Sequence, residues 1–198
     1  MASGESRLAG RRIDAVVIGA SAGGLEALLR ILSGLPASYG LPVVVLLHLP
    51  SDGESRLCEV FAARLSMPVC EAGDKAPAVP GTVYVAAAGY HLLVEQDHSF
   101  SLSCEAPVRY SRPSIDVLME SAADAWGPRL AGVLLTGAND DGAEGLASIG
   151  RHGGLTVVQD PAEAAVSAMP LAAIRRRTPD LILPLREIHA LLLELDHD

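Results

Sequence analysis

Short apolar runs alternate with segments of helical periodicity along almost the whole chain. The first run, residues 15–18 (AVVI), leads into a glycine-rich turn at 19–24 (GASAGG) and then into a segment with leucine and alanine at helical spacing. This pattern predicts a buried strand, a tight turn and a helix. Further strands are predicted at residues 42–48, 69–72, 82–86, 131–136, 155–159 and 181–183.

Segments of helical character separate most of these strands. Helices are predicted at residues 54–65, from Ser114 to about Trp126, from Asp141 onward, from about Pro170 onward and at residues 186–195. Residues 92–95 and 100–103 flank a polar turn, which predicts an antiparallel hairpin. Because parallel strands are joined by helices that cover both faces of the sheet, the alternation predicts an α/β fold with a mostly parallel sheet.

Charge and hydropathy exclude several classes of function. The chain of 198 residues is long enough for one domain with a full core, and it carries a net charge of -9 with a single lysine, Lys75. It therefore lacks the basic field that binds nucleic acid. No apolar run is long enough to span a membrane, and the polar N-terminus has no signal-peptide core, so we expect a cytoplasmic protein without membrane insertion.

Cysteine and histidine spacing gives no indication of a metal or cofactor. The three cysteines are scattered and are expected to be small core residues in a reducing compartment; they are Cys58, Cys70 and Cys104. The histidines without paired ligand spacing are His91, His98, His152, His189 and His197. We therefore expect neither a metal nor a cofactor.

Three polar residues lie at or just beyond the carboxyl ends of predicted strands: Ser21, His48 and Asp141. In an open α/β sheet this edge is where sites are built. A serine, a histidine and an aspartate can form a hydrolytic triad, in which histidine takes the hydroxyl proton and the carboxylate holds the imidazole tautomer. The free N–H groups at the start of the helix after Ser21 could hold an oxyanion or another anion.

Each candidate residue also has a structural interpretation. Ser21 could simply start a helix, and His48 could be bonded to a backbone carbonyl. Asp141 and Glu144 have the spacing of a capping box, and the adjacent Asp140 is a rival for any acidic role. These alternatives remain open at the level of the residues alone.

Two general motifs match only in part. Residues 19–23 fit the GxSxG turn of the α/β-hydrolases, but there the acid precedes the histidine in the chain, whereas here Asp141 follows His48. A dinucleotide fold would need an acidic residue at the end of the second strand, where this chain has His48 and Leu49. Both folds are disfavoured.

Several motifs in order resemble the catalytic domain of the chemotaxis-receptor methylesterase family, CheB. The motifs are GASAGG at 19–24, HLP at 48–50, PGTVYVA at 80–86, RPSIDVL at 112–118, LTGANDDGA at 135–143 and AMP at 168–170. The likeness implies a three-layer, doubly wound α/β domain with a largely parallel sheet. It implies a serine hydrolase that removes methyl groups from glutamate γ-methyl esters on the cytoplasmic helices of chemoreceptors and often deamidates receptor glutamines.

The resemblance assigns roles to individual residues. Ser21 matches the family nucleophile, His48 its base and Asp141, rather than Asp140, its orienting acid. Residues expected to provide oxyanion contacts or to line the pocket are Ala22, Gly23, Gly24, Ala138 and Asn139. The chain departs from the family where threonine usually follows the nucleophile (Ala22), where glutamine often precedes the histidine (Leu47) and where Met-Gly precedes the acid (Ala138 and Asn139). We expect a roomier, less shielded pocket as a result.

The resemblance also suggests how the chain is organised. Residues 1–12 are expected to be a flexible tail and residues 13–195 the catalytic domain, with no receiver domain ahead of it. Activity is then expected to be constitutive or to depend on expression or on a separate regulatory protein. The alternative from another class is an adaptor that keeps this fold in another signalling system. A further alternative, an esterase for a different, small-molecule substrate, keeps the chemistry and changes only the substrate.

Overall fold

The computed structural model describes residues 10–48 and 56–196. Most of the expected N-terminal tail, the last two residues of the HLP motif and the first two residues of the helix predicted at 54–65 lie outside these residues. The strands of the main sheet are β1 (Ala15–Ala20), β2 (Val43–Leu47), β3 (Val69–Glu71), β4 (Val83–Val85), β7 (Leu130–Leu134), β8 (Leu155–Gln159) and β9 (Leu181–Leu183). These seven strands are parallel and lie in the order β3-β4-β2-β1-β7-β8-β9.

Helices cover both faces of this sheet. The first face carries α1 (Gly24–Leu32), α2 (Leu57–Ala62) and α6 (Leu185–Leu195). The second carries α3 (Ile115–Trp126), α4 (Ala143–Arg151) and α5 (Ala168–Arg176), together with a separate antiparallel hairpin of β5 (His91–Val94) and β6 (Phe100–Ser103). The predicted three-layer, doubly wound α/β fold with a small hairpin is confirmed.

The central strand shows why the sequence forms these layers. Every residue of β1 is buried. Val16 and Ile18 pack into the core of the first face, whereas Ala15 and Val17 pack into the core of the second. Side chains of a strand point alternately to opposite faces, so a strand covered on both sides must be apolar at every position.

Some predicted boundaries differ from the observed ones. Helix α5 begins at Ala168, two residues before the predicted start. Strand β7 ends at Leu134, before the predicted end at Thr136, because the amide of Thr136 donates to the side chain of Gln159 instead of continuing the ladder.

The prediction that the cysteines are core residues is wrong for Cys70 and Cys104 and holds only in part for Cys58, which packs against the core of the first face. Cys58 is only partly buried, and Cys70 and Cys104 are exposed. Cys70 lies on β3, an edge strand of the sheet whose residues are partly or fully exposed, and Cys104 follows β6 in an exposed segment. Sequence spacing shows the absence of a metal motif but does not show which side of an edge strand a cysteine occupies.

The strand order places a crevice at the carboxyl ends of β1 and β7. From β1 the chain proceeds to β2 on one side, while β7 pairs on the other side. In doubly wound sheets the connecting helices leave such a switch point in opposite directions, and ligands bind in the gap. Within residues 10–48 and 56–196, no helix is long and apolar enough to cross a bilayer.

Candidate active site

Ser21 lies at the centre of this edge. It follows the last residue of β1, just as His48 follows the last residue of β2, and Ala20 and Leu47 are register partners in the two strands. The amide of His48 donates to the carbonyl of Ala20 at 3.0 Å, and the amide of Ser21 donates to the carbonyl of Thr136 at 2.9 Å. The backbone therefore holds Ser21 between His48 and the segment that follows β7.

The turn after Ser21 is shaped by glycine. Gly23, with φ of 77°, is the N-cap of α1, so Ser21 does not start the helix. A Cβ at Gly23 would lie 2.6 Å from the Cβ of Ala165, which leaves no room for a side chain. The hydroxyl of Thr136 donates to the carbonyl of Ala22 at 2.8 Å and ties the turn to the end of β7.

The predicted oxyanion donors of this turn are not equivalent. The amide of Gly24 donates to the carbonyl of Ser21 at 2.7 Å and is therefore already bonded. The amides of Ala22 and Gly23 have no hydrogen-bond partner in the part of the chain that the structure describes. Because they precede the first turn of α1, these two N–H groups can bind a negative oxygen.

The side chain of His48 is 12% exposed and contacts Asp141. Its Nε2 lies 2.8 Å from Oδ2 of Asp141, although 93 residues separate the two in the chain. By contrast, the ring nitrogens of His98 and His189 contact backbone carbonyls. The interpretation of His48 as a histidine satisfied by the backbone does not describe its side chain.

Asp141 is fully buried and its carboxylate accepts four hydrogen bonds. The donors are Nε2 of His48, the hydroxyl of Ser114 at 2.7 Å, the amide of Ile115 at 2.7 Å and the amide of Asp116 at 3.0 Å. Burial by itself raises the pKa of Asp141, but the hydrogen bonds, with the largest contribution from His48, outweigh it and hold that pKa below its usual value. The carboxylate is therefore ionised and acts only as an acceptor.

The ionised carboxylate of Asp141 determines which nitrogen of His48 is free to accept a proton. Because Asp141 can only accept, Nε2 must carry the proton that it donates. Nδ1 then has the free lone pair and can take a proton from a neighbouring hydroxyl. The partners of the imidazole thus define its tautomer.

The carboxylate of Asp141 lies at the N-terminus of α3 and does not cap α4, the helix that follows Asp141 in the chain. Ser114 is the N-cap of α3, and the amides of Ile115 and Asp116 are among the first N–H groups of that helix, which have no intrahelical partner. The N-cap of α4 is Gly142, with no side-chain cap, so the capping box suggested by Asp141 and Glu144 is not formed. The dipole of α3 favours a negative charge at this position.

Asp116 makes the reciprocal contact. Its Oδ1 accepts from the amides of Gly142 at 2.9 Å and Gly145 at 2.7 Å at the start of α4. Each of the two helices therefore places a carboxylate against the N-terminus of the other. Burial raises the pKa of Asp116, and the nearby charge of Asp141 raises it further.

Arg109 links Asp116 to the loop that carries Asp141. Its Nε donates to Oδ2 of Asp116 at 2.8 Å, and its Nη1 pairs with Asp140. The side chain of Asp140 is 58% exposed and pairs with this arginine. Asp140 and Asp141 therefore have different partners, with only Asp141 bonded to His48.

The two remaining predicted pocket residues lie in the loop before Asp141. Ala138 is exposed and Asn139 is half-buried. The side-chain oxygen of Asn139 accepts from the amide of Asp141 at 3.2 Å, which is a contact to the loop backbone. Sequence reasoning assigned no role to Arg109, Ser114 or Asp116, although Ser114 and Asp116 belong to the RPSIDVL motif.

A cleft of about 550 Å³ opens beside His48. Leu47, Ala86, Pro107 and Pro113 contribute apolar lining, and Tyr110 and Arg112 lie on its sides. Among the residues described, no group of three or more histidine, cysteine, aspartate or glutamate side chains is arranged to hold a metal ion.

Gly142→Ala should destabilise the loop that carries Asp141. Gly142 has φ of 96°, and a Cβ there would lie 2.6 Å from Leu134 Cδ1 and 2.8 Å from Ile115 Cγ2. Backbone strain and overpacking together should lower the free energy of unfolding by about 3 kcal/mol. Gly89→Ala is the matched control, since Gly89 has φ of 82° but a Cβ added there would meet no described atom within 4 Å. Urea unfolding should give a loss of about 1 kcal/mol for the control, and equal losses would contradict the steric argument.

Comparison with known proteins identifies the family. Residues 16–192 match the model of the CheB methylesterase family. The chain belongs to this family. It is 43% identical over 185 residues to a protein of Leptospira interrogans serovar copenhageni named protein-glutamate methylesterase/protein-glutamine glutaminase, a match that covers 93% of this chain and 96% of the relative.

Other relatives and one solved structure agree with this assignment to the CheB methylesterases. The protein-glutamate methylesterase FrzG of Myxococcus xanthus is 36% identical over 179 residues, which cover 90% of this chain and 54% of FrzG. The CheB methylesterase catalytic domain of Thermotoga maritima superposes with a TM-score of 0.88 at 30% identity, over 92% of this chain and 98% of that domain. This chain therefore matches the catalytic part of the longer CheB relatives.

Proposed function

We propose that this protein is a serine hydrolase that demethylates glutamate γ-methyl esters on the cytoplasmic helices of chemoreceptors and deamidates receptor glutamines at the same site. The observation that carries the proposal is the hydrogen-bonded pair of His48 and the buried Asp141, 2.8 Å apart, at the strand edge next to Ser21. A carboxylate-oriented imidazole beside a serine is the arrangement of a hydrolytic triad. The names of its relatives, protein-glutamate methylesterase/protein-glutamine glutaminase, support the substrate.

In the proposed acylation step, Nδ1 of His48 takes the proton of the Ser21 hydroxyl as its oxygen attacks the ester carbonyl. The tetrahedral oxyanion is bound by the amides of Ala22 and Gly23. Collapse of this intermediate breaks the bond to the methoxy group, which leaves as methanol with the proton from the imidazolium. A glutamyl ester of Ser21 remains.

In the second step, water replaces the alcohol. His48 takes a proton from water, hydroxide adds to the glutamyl-enzyme, and the Ser21 oxygen leaves with the proton returned by His48. The product is the free glutamate side chain. With a glutamine substrate the leaving group is ammonia and the product is the same.

Asp141 acts through His48 in both steps. Its ionised carboxylate stabilises the imidazolium that forms in each transition state and keeps the proton on Nε2. The proposed catalytic domain spans residues 13–195, and its substrate is a receptor's cytoplasmic helix, so the reaction would take place in the cytoplasm. At positions 22 and 138, where the family usually has threonine and methionine, Ala22 and Ala138 provide smaller side chains and keep the backbone donors.

The test is direct measurement on a methylated receptor. Purified protein should release methanol from a methylated cytoplasmic receptor fragment, and mass spectrometry should show the loss of methyl groups from specific glutamates. A receptor carrying glutamine at those positions should gain the mass difference of deamidation and release ammonia. No change in either fragment would contradict the proposed function.

A further inference from the structure

The cleft beside His48 has a different charge from the rest of the protein. The chain has a net charge of -9, yet none of the ten described residues that line the cleft is acidic. Its charged lining residue is Arg112. A surface of this kind attracts acidic groups that the remainder of the molecule repels.

Arg112 is held in place without being neutralised. Its Nη1 donates to the carbonyls of Cys104 at 3.0 Å and Glu105 at 3.1 Å. In the part of the chain that the structure describes, no carboxylate lies within 4.0 Å of its guanidinium. The side chain is therefore oriented by neutral acceptors, and its positive charge is available to a bound molecule.

Tyr110 is the second unusual residue of this cleft. Its side chain is fully exposed, and φ is 63° at Tyr110 and 48° at Arg109. These two residues form the tip of a tight turn between Val108 and Ser111, whose backbones exchange hydrogen bonds of 3.1 and 2.8 Å. Two adjacent positive φ angles are the conformation for which such turns usually use asparagine and glycine. Tyrosine at this position costs stability, and its ring gains no burial in return.

Arg109 fixes the position of this turn. Its pairs with Asp116 and Asp140 attach the tip to α3 and to the loop after β7. Tyr110 therefore has a defined position at the edge of the cleft. It directly follows Arg109, which anchors the turn to the loop that carries Asp141. A strained, anchored and fully exposed aromatic residue is suited to contact a partner.

We propose that Tyr110 and Arg112 bind the stretch of substrate polypeptide that flanks the esterified glutamate, with the Tyr110 ring packing on it and Arg112 pairing with a neighbouring acidic side chain. This inference rests on the proposed function. The cleft reaches His48, so a polypeptide that delivers an ester to Ser21 passes along it. Each turnover leaves a glutamate carboxylate, so a helix with several modified positions becomes acidic as it is processed.

Binding can be measured apart from catalysis. The probe is a synthetic helical peptide from a receptor methylation region that carries one glutamate γ-methyl ester, with glutamates on either side. Its Kd is measured on the Ser21→Ala protein, alone and combined with Tyr110→Gly or Arg112→Met. We expect each added substitution to weaken binding about tenfold. Ile182→Ala, an exposed apolar side chain on the edge strand β9, is the control and should leave Kd unchanged.

A peptide whose flanking glutamates are replaced by glutamines tests the role of Arg112. This peptide should bind to the Ser21→Ala protein about tenfold more weakly than the acidic peptide does, and addition of Arg112→Met should weaken its binding no further. The loss of affinity for the acidic peptide that Arg112→Met causes should become smaller as salt is added, because salt screens the interaction between the two charges. Equal effects of Arg112→Met on both peptides would overturn the proposed pairing.

Stability and a small substrate separate recognition from a structural role. Glycine adopts positive φ freely, so Tyr110→Gly should melt no lower than the parent protein while its kcat/KM for the receptor falls about tenfold. Its kcat/KM for N-acetylglutamate γ-methyl ester should stay the same. Equal losses on both substrates, or an unchanged Kd for the peptide, would overturn the proposal. If the unsubstituted protein released no methanol, the proposed function would be refuted. The Kd values of the peptide would still decide whether Tyr110 and Arg112 bind it.

Discussion

Ser21→Ala should slow the release of methanol from methylated receptor by ~10⁴-fold or more. In the proposed mechanism, the substitution removes the oxygen that forms the glutamyl ester, and only binding and oxyanion contacts then remain to assist direct attack by water. The measurement is the initial rate of methanol formation with saturating receptor fragment, compared with the rate of the unsubstituted protein.

The same substitution should leave the fold intact. The backbone bonds of Ser21 to Thr136 and Gly24 do not involve its hydroxyl, and no side-chain hydrogen bond of Ser21 occurs within residues 10–48 and 56–196. Melting temperature should therefore be unchanged. Ser33→Ala, at the exposed C-cap of α1, controls for the loss of a serine hydroxyl and should keep full activity. A Ser21→Ala protein within tenfold of the parent rate would refute its role as nucleophile.

The strand edge could be predicted from the sequence because the signals there are local. One apolar run leads into the glycine-rich turn that contains Ser21, and another ends at His48, so both polar residues fall at the edge where doubly wound sheets bind ligands. Order along the chain then indicates that Ser21 and His48 lie near each other. The family resemblance added the choice of Asp141 over Asp140, which local patterns alone left open.

The hydrogen-bond partners of the Asp141 carboxylate could not be predicted from local sequence signals. The spacing of Asp141 and Glu144 indicates a cap on α4, but Asp141 accepts from the first residues of α3, 25 to 27 positions away in the chain. This choice depends on how two helices pack, which no local pattern encodes. The positive φ of Tyr110 and the pairs of Arg109 are likewise products of tertiary packing, since the residue types themselves favour neither.

Asp141→Asn should lower the rate of methanol release at least ~10²-fold, whereas Asp140→Asn should change it little. With its amide oxygen at the Oδ1 position, the side chain in Asp141→Asn still accepts from the Ser114 hydroxyl and the Asp116 amide, and its NH₂ group takes the Oδ2 position that His48 contacts. That group would donate to Nε2 and shift the imidazole proton to Nδ1, the nitrogen that must be free to take the proton of Ser21. Asp140 contacts Arg109 and not His48, so its replacement leaves the tautomer unchanged. The measurement is kcat for both variants on the same receptor fragment.

Stability measurements distinguish this catalytic loss from unfolding. Asp141→Asn also removes an ionised acceptor from the N-terminus of α3 and should cost at least about 1 kcal/mol, so both rates are measured well below the melting temperature. Because the pKa of Asp141 is lower in the folded protein than in the unfolded chain, its charge stabilises the fold above an unfolded pKa of about 3.9. That contribution is lost as pH falls through the folded pKa. The difference in unfolding free energy between Asp141→Asn and the parent should therefore shrink as the pH is lowered past this range, while the difference in rate at neutral pH persists. If Asp140→Asn were the slower of two folded variants, Asp141 would not be the orienting acid.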